Sequence, residues 1–256
     1  MHEDTHQPAE LAFSVVIPAA GTGVRMGGRM GGRKKPYLRI CGRPVLHIVI
    51  DTLSHVSGCA EIIPVLHPDE YEDGHVAAEL RSKFGISKIA RGGATRQESA
   101  FAGLQLVRED LDLVLTHDAV RPLVDPDVIR RVAEAAQRFG AAIAAVPATE
   151  TVKEVGAEGR IIATPPRDTL WLARTPQGFR KELILRAYAA AQRDGYCGTD
   201  DAELVERLGE DARVVEDAYS NLKITTEEDL AAAEAIYRWR EGRQGGADAA
   251  RHASFR

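Results

Sequence analysis

No part of this chain is more constrained than the passage from Ile17 to Tyr37. It follows the apolar run Phe13-Ser14-Val15-Val16-Ile17, which stops at Pro18, and its twenty-one positions hold six glycines and five basic residues without one acid. A run of that kind reads as a buried strand. A strand that empties into such a loop is built to hold phosphates: glycine lets backbone N–H groups approach anionic oxygens, and Arg and Lys neutralise them. The plainer alternative is a flexible turn with scattered surface charge. Against it stands the crowding of Arg25, Arg29, Arg33, Lys34 and Lys35 into one loop, where like charges repel unless an anion arrives.

Spacing excludes two familiar phosphate devices. A dinucleotide fingerprint would need a third glycine at position 26, where Met26 stands, and an acid ending the second strand to bind a ribose; neither is present. A P-loop would need a G-K-[ST] triplet, and none follows. An NAD-dependent dehydrogenase is disfavoured on the same grounds.

Downstream, strand and helix patterns alternate. Pro44 to His55 carries apolar residues at helical spacing, Glu61 to Leu66 is a strand, Asp69 to Phe84 a polar amphipathic helix, Ile86 to Ala90 a strand, and Thr95 to Val107 a helix. Leu111 to Thr116 is a strand ending in His117-Asp118-Ala119-Val120-Arg121-Pro122. Asp125 then caps a helix with Pro126 at its first position, and Ala141 to Val146 is the next strand. This alternation predicts an α/β Rossmann-like, doubly wound, mostly parallel sheet with its site at the carboxyl ends of the strands.

The rhythm breaks after Pro147. Thr151 to Val155 and Arg160 to Thr164 flank Gly156-Ala157-Glu158-Gly159 and predict a protruding hairpin with no local helix to pack on. An arm of that kind finds its cover on another subunit. Leu172 to Phe179 returns to the body. Helices follow over 181–193 and 200–208, then a strand over 212–215, and Thr225 with Glu228 forms a capping box for a last helix. The predicted organisation is one domain over 11–240, with 148–170 as the arm and an aperiodic, disordered tail over 241–256.

Net charge of -5 with local rather than spread basic residues argues against nucleic-acid binding. Cys41, Cys59 and Cys197 make an odd count without metal spacing, so a reducing cytoplasm fits. The first ten residues lack an apolar signal core, and no run approaches the roughly eighteen apolar residues a membrane helix needs.

Asp118, at a strand's carboxyl end and beside a cationic loop, is sited to coordinate Mg²⁺, which leans on one or two carboxylates plus phosphate oxygens. The bland alternative is an Asp118–Arg121 turn pair, worth ~1 kcal/mol or less if exposed. His117 alone reads as a packed, hydrogen-bonded histidine.

Six motifs then occur together and in order: P-A-A-G-x-G-x-R-M (Pro18 to Met26), G-G-x-x-R-x-x-S (Gly92 to Ser99), H-D-A-V-R-P, T-P-Q-x-F (Thr175 to Phe179), T-D-D-A (Thr199 to Ala202) and N-L-K-I-T (Asn221 to Thr225). Over about 13–239 the chain closely resembles the 2-C-methyl-D-erythritol 4-phosphate cytidylyltransferase family, with ribitol-5-phosphate cytidylyltransferases as near cousins. The resemblance implies a homodimeric, Mg²⁺-dependent enzyme that joins CTP to a polyol phosphate and releases pyrophosphate. It implies that the backbone of Ala19, Ala20, Gly21 and Gly23 cradles the triphosphate, and that Gly93, Arg96 and Ser99 recognise base and ribose, with Ala119 also at the nucleotide. It further implies Arg25, Lys35 and Lys223 as catalytic cations and Asp118 as the metal ligand. Arg121, Thr151, Arg167, Thr175 and Lys223 would hold the sugar phosphate, Arg167 reaching the partner subunit's site from the arm.

The chain departs from the family in the loop itself. The usual Pro-Lys-Gln is here Lys34-Lys35-Pro36, with Lys35 at the family distance from Tyr37-Leu38 and Lys34 as the alternative. Extra Gly-Gly pairs over 27–32 predict a loop that closes over CTP. Ala94 and Ser220 stand where acids are common. A ribitol 5-phosphate acceptor and a non-catalytic CTP-binding protein are the rival readings.

Overall fold

The computed structural model describes residues 11–21 and 34–253, with side chains through 243. Gly23, Arg25 and the glycine pairs of 27–32 lie outside the described residues.

Strand β1 (Phe13–Pro18) shows why its sequence is apolar throughout. Phe13, Val15 and Ile17 enter one core cluster while Val16 enters another, so successive side chains are buried on opposite faces of the sheet. It pairs in parallel with β4 (Cys59–Leu66) and with β6 (Leu113–Thr116), and β4 pairs with the short β5 (Ala90–Arg91). The intervening β2 (Arg39–Ile40) and β3 (Arg43–Pro44) form a separate small hairpin. With β7 (Ala141–Pro147), β10 (Trp171–Arg180) and β11 (Arg213–Glu216), the main sheet runs β11-β7-β10-β6-β1-β4-β5.

Strand β10 alone runs antiparallel to its neighbours, and the arm explains why. The chain leaves the carboxyl end of β7, makes the two-stranded excursion β8 (Glu154–Val155) and β9 (Ile161–Ala163), and re-enters at the same edge, so it must run back down between β7 and β6. The arm strands are shorter than the predicted hairpin, mainly at its base, and a 3-10 turn, Ala157–Gly159, forms its tip with Glu158 and Gly159 both at positive φ. Val155, Ile161, Ile162, Trp171 and Leu172 are exposed along the arm and its base.

Helices α1 (Val45–Ser54), α3 (His75–Phe84) and α5 (Pro126–Phe139) cover one face of the sheet. Helices α4 (Arg96–Leu104), α6 (Lys181–Asp194) and α7 (Asp201–Glu206) cover the other. The predicted helix over 69–84 is in fact two, α2 (Pro68–Asp73) and α3, because Gly74 takes a left-handed conformation between them. The strand expected over 86–90 is displaced to Ala90–Arg91. The last helix, α8 (Glu227–Ala253), continues past residue 241, where an aperiodic tail is expected. Its capping box is one residue later than predicted: Thr226 Oγ1 accepts the Asp229 N–H, and Asp229 Oδ2 accepts the Thr226 N–H.

Helix α4 sits on the sheet through Gly103, where an added Cβ would stand 2.4 Å from Val16 Cγ1 and 2.9 Å from Val65 Cγ2. Gly103→Ala gains up to about 1 kcal/mol of helix propensity but overpacks that contact at a cost of about 1–3 kcal/mol. A net loss of stability of about 1 kcal/mol is expected in urea denaturation.

Candidate active site

The site is assembled where β1, β5 and β6 end. Beyond β1, the Ala19 N–H donates to the Val65 carbonyl, and beyond β5 the Gly92 N–H donates to the Leu66 carbonyl, so both loops are extensions of the sheet ladder. They touch: a Cβ on Gly92 would lie 2.2 Å from Ala20 Cβ and 2.9 Å from the Leu66 carbonyl oxygen. Only glycine permits that approach. The predicted triphosphate cradle, Ala19, Ala20 and Gly21, is thereby brought against the predicted base loop. Within that loop the Gly93 N–H donates to Ser99 Oγ, which itself donates to the Thr95 carbonyl. Ser99 is buried and shapes the loop from beneath.

Asp118 is the centre of the arrangement. It is 6% exposed, yet three cations face its carboxylate: Lys223 Nζ at 2.9 Å and Arg121 Nε at 3.4 Å from Oδ2, and Arg96 Nε at 3.5 Å from Oδ1. Burial by itself raises the carboxyl pKa, but Arg96, Lys223 and Arg121 outweigh it and hold the group well below the usual carboxylate range. The Asp118 N–H donates to Thr175 Oγ1 at 3.0 Å. Ala119, next in the chain, is buried, and the following Val120 carbonyl accepts the Ile224 N–H at 2.9 Å, which staples the Lys223 loop to the Asp118 turn.

That second loop is itself built on buried polar groups. Asn221 Nδ2 donates to the Thr175 carbonyl and to Asp217 Oδ2, while the Asn221 carbonyl accepts from both Arg121 and Arg174. The alternative of a plain Asp118–Arg121 turn pair is therefore too small a description, since the pair is one edge of a network spanning β6, β10 and the loop before α8.

A neighbouring carboxylate, Asp201, falls within T-D-D-A, but the sequence assigns it no role. It is 1% exposed and binds Arg96 through two bonds, Nη1 to Oδ1 at 3.0 Å and Nη2 to Oδ2 at 3.1 Å. Thr116 and Tyr188 hydroxyls also donate to it, and Gln177 Oε1 accepts its N–H. Although burial raises its pKa, Arg96 and these donors bring it below the ordinary carboxylate value. Gln177, Asn221 and Asp200, which caps α7, likewise belong to the six motifs without pattern alone showing what they do.

Other predicted residues are placed apart. Lys34 Nζ pairs with Glu70 at 3.0 Å, and Tyr37 donates to the same carboxylate; Lys35 opens the 3-10 turn Lys35–Tyr37. Thr151 and Arg167 lie on the exposed arm, where Arg167 donates to the Thr149 carbonyl. Among the described residues neither of them is bonded to Asp118.

Fold and site together define an α/β nucleotidyltransferase: a mostly parallel sheet whose carboxyl edge joins a glycine loop to a carboxylate ringed by cations. The family model IspD, 2-C-methyl-D-erythritol 4-phosphate cytidylyltransferase, matches residues 13–239, and the chain belongs to that family. A relative of that name from Syntrophus aciditrophicus is 43% identical over 232 residues, covering 89% of this chain and 97% of its own. One from Pelotomaculum thermopropionicum is 40% identical over 233 residues, covering 90% and 96%. The crystal structure of 2-C-methyl-D-erythritol 4-phosphate cytidylyltransferase from Thermus thermophilus superposes with a TM-score of 0.73 at 37% identity, covering 89% of this chain and 99% of that one.

His117, expected as a packed histidine, is fully buried. Its Nε2 lies 3.1 Å from the Arg121 carbonyl, which can only accept, so Nε2 carries the proton and Nδ1 is an unpartnered acceptor. Burial lowers its pKa from 6.5 to about 4. Between those values the unfolded chain binds the extra proton, so this residue's contribution to stability is complete above pH 6.5 and is lost as pH falls towards 4. From pH 6.5 to about 5, above the carboxylate range, wild type should lose about 2 kcal/mol more stability than His117→Gln in denaturant titrations without divalent cations.

Proposed function

We propose that the chain transfers the cytidylyl group of CTP to 2-C-methyl-D-erythritol 4-phosphate, giving 4-CDP-2-C-methyl-D-erythritol and pyrophosphate, a step of non-mevalonate isoprenoid precursor synthesis. The observation that carries this is the buried Asp118 carboxylate with Lys223, Arg121 and Arg96 around it, beside the Ala19–Gly21 loop. A phosphate oxygen of the acceptor attacks the α-phosphorus, a new P–O bond forms, and the bond to the β-phosphate breaks with its electrons leaving on pyrophosphate. Two anions must be driven together, so the protein's task is positioning and charge stabilisation rather than supply of a nucleophile.

The roles are those that the family resemblance implies. The backbone of Ala19, Ala20, Gly21 and Gly23 cradles the triphosphate, while Gly93, Arg96, Ser99 and Ala119 form the nucleotide side. Arg25, Lys35 and Lys223 meet the charge that builds on the transferring phosphate. Lys35 is favoured over Lys34 because it stands at the family distance from Tyr37-Leu38. Arg121 and Thr175 shape the acceptor side through Asp118, and Thr151 and Arg167 complete it across a homodimer formed through the 148–170 arm, whose apolar residues are exposed in the single chain. Asp118 would hold Mg²⁺ as its one protein carboxylate, a hard oxygen donor of the kind this ion takes alongside phosphate oxygens. When bound, that ion would supply positive charge to the phosphate oxygens. Among the described residues no helix is long and apolar enough to cross a membrane, and a cytoplasmic enzyme of one domain over 11–240 fits.

The test is pyrophosphate release from CTP with methylerythritol phosphate and, separately, with ribitol 5-phosphate. Turnover with the first and little with the second is expected; none with either would refute the proposal. Lys223→Ala should lower kcat roughly a hundredfold, as loss of an oxyanion-type donor does, and Lys35→Ala should cost far more than Lys34→Ala.

A further inference from the structure

Arg96 is held between two buried carboxylates, and the two contacts differ. Its terminal nitrogens make paired bonds of 3.0 and 3.1 Å to Asp201, whereas its Nε stands a looser 3.5 Å from Asp118. About a third of the Arg96 side chain remains exposed, while Asp201 is sealed. The terminal nitrogens of the guanidinium are thus anchored, while the Nε edge is held only loosely, beside Asp118.

The anchor is more elaborate than packing requires. Burying a carboxylate and its cation seldom stabilises a fold more than apolar residues of the same volume would, and Asp201 is followed by Ala202, Leu204 and Val205, all of them core residues. Yet four elements converge on it: Arg96 from α4, the Thr116 hydroxyl from β6, the Tyr188 hydroxyl from α6, and Gln177 of β10 on its N–H. Thr116 ends the strand two residues before Asp118 and is in register with Gln177, so the anchor is fixed directly beneath the reacting centre.

From this geometry we infer that Asp201 is a positioning residue for CTP binding: it holds Arg96 toward the nucleotide and limits its approach to Asp118 to the looser 3.5 Å contact. The inference rests on the cytidylyltransferase reading. Without the Asp201 charge, the guanidinium's nearest anion is Asp118, and its swing would withdraw Arg96 from the nucleotide while capping Asp118. Long-range charge predicts the opposite sign, because removing a negative charge near a triphosphate should tighten its binding. Orientation and net charge are therefore separable in one variant.

The experiment is steady-state kinetics on wild type, Asp201→Asn, Tyr188→Phe, Arg96→Lys and the Arg96→Lys/Asp201→Asn double variant, with CTP and the polyol phosphate varied in turn. Asp201→Asn should raise KM for CTP roughly tenfold or more, the scale of a lost bond to a charged group, leaving KM for the polyol phosphate within about twofold. Tyr188→Phe, which keeps the charge and loosens its seat, should give a smaller rise, and adding Asp201→Asn to Arg96→Lys should add little. An unchanged or lowered KM for CTP in Asp201→Asn, or fully additive effects in the double variant, would overturn the inference. Should Asp201→Asn not fold, Tyr188→Phe and Thr116→Val decide: an unchanged KM for CTP in both overturns it. Wild type without turnover would instead defeat the cytidylyltransferase reading.

Discussion

A carboxylate buried at the end of a strand has to be neutralised, and at Asp118 that requirement organises the surrounding chain. Its charge is met from three directions, by Arg96 on α4, Arg121 in its own turn and Lys223 from the loop before α8. Each of these cations is in turn held in place: Arg96 by Asp201, Arg121 by the Asn221 carbonyl, and the Lys223 loop by the Ile224–Val120 backbone bond. Segments more than a hundred residues apart are thereby tied at one edge of the sheet. Positive charge is stored there in fixed positions, which is what a reaction between two phosphates needs, since preorganised charge avoids reorganisation when the transition state forms.

The reversed strand β10 serves the same end. Because the arm returns the chain to the carboxyl edge, the start of β10 rather than its end lies at the site, and it delivers Thr175 to the Asp118 N–H and Gln177 to α7. An all-parallel arrangement would leave those side chains at the opposite edge. The excursion that exposes an apolar arm is thus also what supplies the polar groups beneath the site. Helix α8 closes the remaining flank, where Leu38, Ile40, Val45, Ile48, Leu123, Ile224 and Ala233 form a small core of their own.

Much of this was legible in the sequence, for identifiable reasons. The alternation of strand and helix that builds the mostly parallel sheet shows itself in its periodicity, and Asp118 stands where an acid ending a strand in that pattern was expected. The Asp125–Pro126 cap stands where its residues place it, since the signal is local. What pattern could not show depends on partners distant in sequence. The role of Asp201 needs Arg96, 105 positions away, and that of Asn221 needs Thr175 and Arg121. Gly74 looks like a tolerated helix residue until its left-handed conformation is seen.

Stored charge at Asp118 has a direct structural consequence: some of it must be released to the substrates. Lys223 is the cation with the most exposed side chain of the three and sits 2.9 Å from Oδ2, so it is the one free to change partner, whereas Arg96 is clamped on Asp201. A crystal structure of the enzyme with CTP and Mg²⁺ tests this most directly. Lys223 Nζ should have left hydrogen-bonding distance of Asp118 for a phosphate oxygen, with the paired Arg96–Asp201 bonds intact. A triphosphate bound away from Asp118, with Lys223 still on that carboxylate, would contradict the account.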